Sequence, residues 1–155
     1  MTSSIDSNPG GRPITYVSAI IGGDRIAPEY WSSYFGLAPT VFVEKGKHFI
    51  TPIGRPSHSP GRINVWGYST KSIINSHLVA PHLEHLISKL GLPRPDLKSL
   101  IEANDLRFFV SCYWWNPAGD RIPVVDSELD AVIRQSGGKV FIDEYPCDIH
   151  IVEDS

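Results

Sequence analysis

The chain has 155 residues, 41% hydrophobic and 20% charged, with a net charge of −3 when the histidines are neutral; this balance suits one soluble globular domain and excludes an intrinsically disordered chain. Its basic residues are scattered singly or in pairs, which argues against nucleic acid and anionic membranes as partners. No apolar run approaches bilayer length, the N-terminus lacks a signal-like stretch, and the two cysteines, Cys112 and Cys147, lie too far apart for a small disulfide scaffold, so a cytoplasmic protein with reduced thiols is expected.

Residues 1–13 are rich in Ser, Gly, Asn and Pro and are expected to form a flexible lead-in. The domain begins at Ile14 with "ITYVSAII", a β-branched and aromatic run bounded by Pro13 and by Gly22-Gly23, which predicts a strand. "APEYWSSYFG" predicts a helix: Pro28 suits its first position, Ile26 is placed to pack on Trp31, and Gly36 closes it. "TVFVEKGKHFI" predicts a strand, or a hairpin turned at Lys45-Gly46, and "RINVWGYST" predicts another strand. The intervening "TPIGRPSHSPGR" is a loop by its prolines and glycines.

"APHLEHLISKLG" carries Leu83, Leu86, Ile87 and Leu90 on one stripe and ends at Gly91, the clearest helical pattern in the chain. "PDLKSLIEAN" adds a shorter helical turn. "LRFFVSCYWW" is apolar at both alternating sets of positions, which predicts a central strand. "DSELDAVIRQSGG" predicts a helix capped by Ser127, with Asp130 reaching back and Gly137 closing it. "KVFIDEY" is the last predicted strand, and 147–155 is an acidic tail.

The tetrapeptide Gly-Asp-Arg-Ile occurs twice, at Gly23-Asp24-Arg25-Ile26 and at Gly119-Asp120-Arg121-Ile122. Each copy follows a predicted strand and precedes a predicted helix, so the shared residues read as turn and helix-start punctuation. The expected architecture is a single α+β domain over 14–146. It has a mixed sheet of roughly five strands with about three helices packed on it, two β-α-β-like units and a ferredoxin-like character.

Particular residues strengthen this reading. "YFGLAPT", "EKGK", the tryptophan followed by Ser or Thr in "INVWGYST", the helix "HLEHLISKL" and the closing "GGKVFIDEY" together resemble the bacterial domain of unknown function numbered 4279. Phe35-Gly36-Leu37 stands where that family has Leu-Gly-Leu. The resemblance spans roughly residues 14–145 and implies a sheet covered by helices, with no established catalytic residues. It also implies a kind of function, because some members look like immunity proteins that neutralise a cognate toxin.

Chemistry-bearing patterns are sparse. His82 and His85 stand three apart on the clearest helix, with His77 upstream, but no further ligand arrives at zinc-like spacing. They are expected on the helix's solvent side and are the weak candidates for a metal; no cofactor is implied. "CDIH" at Cys147 to His150 is weaker still. Neither a nucleophile elbow nor a phosphate loop is present, and Asp126, Glu128 and Asp130 read as a favourable helix start.

The informative residues are aromatic. Trp66 and Tyr68 share one face of their strand, and Tyr113 and Trp115 share one face of theirs, so one sheet face can gather four large rings as a partner-binding surface. If helices cover that face, the rings are core instead. The loop at 52–62 adds Arg55, His58 and Arg62 on a pliable segment suited to an acidic partner. The leading expectation is therefore a non-catalytic protein-binding module of the immunity type, using Trp66, Tyr68, Tyr113, Trp115, Arg55 and Arg62. Two alternatives stand beside it: a small-molecule or metal-binding protein or hydrolase drawing on His82, His85 and Asp24, and a structural homo-oligomer joined through the sheet.

Overall fold

The computed structural model describes residues 14–51, 53–116, 119 and 121–145; the expected lead-in, the acidic tail with Cys147 and His150, and Asp120 lie outside them. The elements in chain order are β1 (Ile14–Gly23), α1 (Pro28–Phe35), β2 (Val41–Val43), β3 (Asn64–Ser69), α2 (Val79–Leu90), α3 (Pro95–Ala103), β4 (Arg107–Trp115), α4 (Ser127–Gln135) and β5 (Lys139–Tyr145).

Local chemistry accounts for most of these boundaries. Pro28 opens α1, and Gly36 and Gly91 close α1 and α2 in the left-handed conformation at φ 61° and 68°, which a Cβ disfavours. The cap of α4 differs from expectation: Asp126, not Ser127, accepts hydrogen bonds from the Glu128 and Leu129 backbone N–H groups. A carboxylate there also complements the helix dipole, which explains its advantage over a serine hydroxyl. The segment from Pro95 is a full nine-residue helix, so four helices pack on the sheet where about three were expected. No hairpin turns at Lys45-Gly46; instead residues 44–51 and 53–63 belong to an excursion pinned by the bridges Lys45 to Gly61 and Ile50 to Pro56.

The sheet order is β2-β3-β1-β4-β5. β1 is antiparallel to β3 and to β4, β2 is antiparallel to β3, and β4 and β5 are parallel. It follows that β1 and β2, joined by α1, run the same way with β3 between them. β3 and β4, joined by α2 and α3, likewise flank β1. This is the interleaved β-α-β-β-α-β arrangement called ferredoxin-like, here extended at one edge by the parallel β4-α4-β5 unit.

The core lies between one sheet face and the helices. Val17, Ala19, Ile21, Trp66, Val110 and Cys112 from the strands meet Trp31, Phe35, Leu83, Leu86, Leu97 and Ile133 from the helices. The Val, Leu, Ile and Phe side chains among them contribute about 1.5–3 kcal/mol each when fully buried. β4 occupies the interior of the sheet as expected, but its two faces are not equivalent: Phe108, Val110, Cys112 and Trp114 are buried, Phe109, Ser111, Tyr113 and Trp115 only half-buried, and Arg107 is exposed. The reason is that the helices pack on one side.

The first Gly-Asp-Arg-Ile sits in the connection from β1 to α1, and Gly119, Arg121 and Ile122 of the second lie between β4 and α4. At the first, a Cβ on Gly23 would come within 2.4 Å of the Leu106 side chain, so the strand end depends on glycine for close approach. Asn64 Nδ2 then donates to the Asp24 and Ile26 carbonyls at 3.4 and 3.3 Å. The first copy therefore shapes the chain.

The turn from α4 into β5 depends on a small residue. A Cβ on Gly138 would lie 2.8 Å from the Phe108 ring and 2.9 Å from Ile133, both in the core. Gly138→Ala is expected to cost about 1–3 kcal/mol by overpacking. A urea denaturation midpoint unchanged from wild type would show that this corner has slack.

Candidate functional site

Strand register decides which of the predicted aromatic residues share a surface. Ile21 pairs with Trp66 and Ala19 with Tyr68 across β1 and β3, and Val17 pairs with Cys112 across β1 and β4. Directly paired residues point to the same face. Trp66, Tyr68 and Cys112 therefore lie on the helix-covered side, while Tyr113 and Trp115 point the other way. The expected four-ring surface does not form. Trp66 is 0% and Tyr68 6% exposed; Trp66 stacks on Phe35 at 5.2 Å and donates from Nε1 to Ser32 Oγ at 3.0 Å. These two rings are core.

Among the described residues, no helix packs on the opposite face. That face presents Tyr16, Ser18 and Ile20 from β1, with Phe109, Ser111, Tyr113 and Trp115 from β4 beside them. Lys139, Phe141 and Asp143 follow from β5. Tyr16 and Tyr113 stack at 4.7 Å with an interplanar angle of 16°, and the Lys71 ammonium lies 5.3 Å from the Tyr16 ring centre. Phe109 meets Phe141 edge-to-face at 6.4 Å, and Phe141 is 50% exposed. Ser111 Oγ donates to Asp143 at 2.7 Å in the middle of this surface. The result is a row of rings with one carboxylate among them. β3 contributes Val65, Gly67 and Ser69 to the same face, so no ring extends the row in that direction. Tyr16, Phe109 and Phe141 escaped sequence reasoning, although period-two alternation from Tyr113 through Ser111 points to Phe109.

Arg55 and Arg62 are exposed but stand elsewhere. Arg62 lies two residues before Asn64, which pairs with Gly23 at the last position of β1, whereas Trp115 pairs with Ile14 at the first. At the usual rise per strand residue the two ends are roughly 30 Å apart. Arg62 and the Tyr113–Trp115 rings therefore do not make one contiguous site.

The histidines also depart from expectation. His82 is 0% exposed. Its Nε2 lies 2.8 Å from the Ser76 carbonyl, which can only accept, so Nε2 carries the proton and Nδ1 accepts from Thr70 Oγ1 at 2.7 Å. Thr70 Oγ1 in turn accepts from the Val17 backbone N–H at 3.0 Å, and Thr15 donates to the His77 carbonyl at 2.9 Å. This network pins the segment leading into α2 against β1. Burial lowers the His82 pKa below its ordinary value, and nearby His85 acts in the same direction against the Ser76 hydrogen bond. His85 is engaged with the Tyr68 hydroxyl at 3.0 Å.

Asp24 pairs with Lys45 at 3.0 Å, at the far end of β1 from the Val17 contact of the His82 network. His82, His85 and Asp24 are thus not brought together. Among the described residues, no group of three His, Cys, Asp or Glu is placed to hold a metal ion. A crevice lined by Ile26, Trp31, Asn64, Trp66 and Leu106 is too tight for a water molecule. Cys112 is buried, and burial with Asp143 nearby pushes its thiol up to about 12, so it is a core side chain and not a nucleophile.

The residues behind the family resemblance occupy structural positions. Gly36 caps α1, Thr40 binds the β3 backbone through both its N–H and its hydroxyl, Trp66 is core, and Gly138 forms the tight corner before β5. Fold and surface together define an α+β domain of ferredoxin-like topology, with its helices on one side of the sheet and an aromatic face on the other. No family model, no curated protein and no solved structure matches the chain. Among the described residues, no helix is long and apolar enough to cross a membrane.

Proposed function

We propose that this chain is a non-catalytic, cytoplasmic protein-binding module of the immunity type, holding its partner against the helix-free sheet face around Tyr113 and Trp115. The observation that carries the reading is that face itself. Tyr16, Phe109, Tyr113 and Trp115 are half-buried and Phe141 is half exposed, on strands that none of the described helices covers. Aromatic rings on a fixed scaffold anchor protein interfaces because they bury large area at small entropic cost. The toxin-neutralising assignment rests on the resemblance to the domain of unknown function numbered 4279, to which we assign the chain.

The test begins with the tagged chain as bait in its native host, followed by purification of the retained partner. Tyr113→Ala with Trp115→Ala is expected to weaken that complex at least about tenfold. Arg62→Ala, at the other end of the sheet, is expected to leave it within about threefold. The partner expressed alone should arrest growth, and co-expression of this chain should restore it. Binding insensitive to the Tyr113 and Trp115 changes would remove the sheet face from the proposal, and a partner without toxicity would remove the immunity role.

A further inference from the structure

The two outer strands of the sheet are managed differently. β2 is three residues long and offers little edge to a foreign strand. β5 runs for seven residues, and among the described residues it pairs only with β4. Its exposed side chains include Lys139, Phe141 and Asp143, with Phe141 50% exposed. A long edge with an exposed aromatic ring at its middle is a template for strand addition.

The side-chain pattern selects the strand that would be added. Lys139, Phe141 and Asp143 share the helix-free face, while Val140 and Ile142 point to the helix side. A second copy approaching antiparallel, about a two-fold axis perpendicular to the sheet, must pair residues that share a face. With the axis at Phe141, Lys139 of each copy stands opposite Asp143 of the other, Phe141 meets its own symmetry mate, and Val140 meets Ile142. Every pair is then matched: two opposite-charge pairs flank an aromatic pair on one side, and aliphatic pairs form on the other.

Neighbouring registers fail. An axis at Ile142 sets Phe141 against Asp143 and Val140 against Glu144, an axis at Val140 sets Lys139 against Phe141, and an axis at Asp143 sets two carboxylates face to face. Matched cross-strand pairs stabilise and like charges directly opposite destabilise.

We propose that β5 is a homodimerisation edge, joining two copies of this chain antiparallel about Phe141 into one continuous sheet, with Lys139 of each copy paired to Asp143 of the other. The two helix-free faces then form one extended surface. This inference does not rest on the partner-binding reading, and Tyr113→Ala, which lies on β4, leaves the dimer intact.

Sedimentation velocity on the full chain, at concentrations up to about 100 μM, is the experiment, because edge-mediated interfaces of modest size are weak. Wild type is expected to show a concentration-dependent monomer–dimer equilibrium. Lys139→Asp alone and Asp143→Lys alone each set like charges opposite at both symmetric positions, and each is expected to weaken the dimer at least about tenfold. The double exchange, Lys139→Asp with Asp143→Lys, restores complementarity and is expected to return the constant to within about threefold of wild type. Rescue cannot arise from a variant that fails to fold. A wild-type chain monomeric throughout, a dimer indifferent to the single reversals, or a double exchange without rescue would each overturn the proposal.

Discussion

Trp66→Ala is expected to lower stability by about 3–5 kcal/mol, seen as a reduced denaturation midpoint with little change in slope. The ring is 0% exposed, stacks on Phe35, and satisfies its indole N–H on Ser32. Alanine leaves a cavity between β3 and α1 and an unmatched hydroxyl beside it. The comparison that gives the number meaning is Tyr113→Ala, on the opposite face. Tyr113 is half-buried and stacked on Tyr16, so its loss is expected to cost about 1–2 kcal/mol. A Trp66 variant no less stable than the Tyr113 variant would place the Trp66 ring on the surface, contrary to the register. The same pair separates folding from binding, because only the Tyr113 change is expected to weaken partner capture without large loss of stability.

His82 makes stability depend on pH. The folded chain favours the neutral ring, chiefly because burial penalises the charged form, and because Nδ1 is committed to accepting from Thr70. The folded pKa therefore lies below the unfolded value of about 6.5. Above that value both states are neutral and no stability is lost. As pH falls through it, the unfolded chain takes up the proton first, and stability declines until the folded pKa is reached, by up to about 1.4 kcal/mol per pH unit.

His82→Gln removes this contribution while costing about 1–3 kcal/mol at neutral pH through the broken network. The stability gap between wild type and His82→Gln is thus expected to narrow from about pH 7.5 to about pH 5. A gap constant over that range would mean that the imidazole titrates alike in both states.

The aromatic surface illustrates what a sequence can and cannot carry. Alternation along "FFVSCYWW" correctly separates Tyr113 and Trp115 from Cys112 and Trp114, because side-chain direction within a strand is a local property with period two. Whether Trp66 lies on the same side as Tyr113 depends on pairing across β1, which relates Trp66 to Ile21 and Cys112 to Val17. A shift of one residue in either pairing would have exchanged the faces. The candidate arginines fail for a related reason, since loop composition marks 52–62 as a loop but does not say from which end of the sheet it leaves.

His82 is a further case. Its spacing beside Leu83 and Leu86 fits the polar margin of a helix, and only the arrival of Thr70 and Ser76 from the preceding segment converts that margin into an interior position. What the sequence alone determined is local: the strands, the helices with their glycine and proline boundaries, the α+β class, and the strand-to-helix placement of the first Gly-Asp-Arg-Ile. These follow from backbone sterics and periodic burial within a few residues. The tertiary structure alone decided which sheet face the helices cover, and hence which rings are core, which face the described helices leave uncovered, and why β5 rather than β2 offers a long edge. Those outcomes depend on pairings between residues far apart in the chain, where neither propensity nor periodicity reaches.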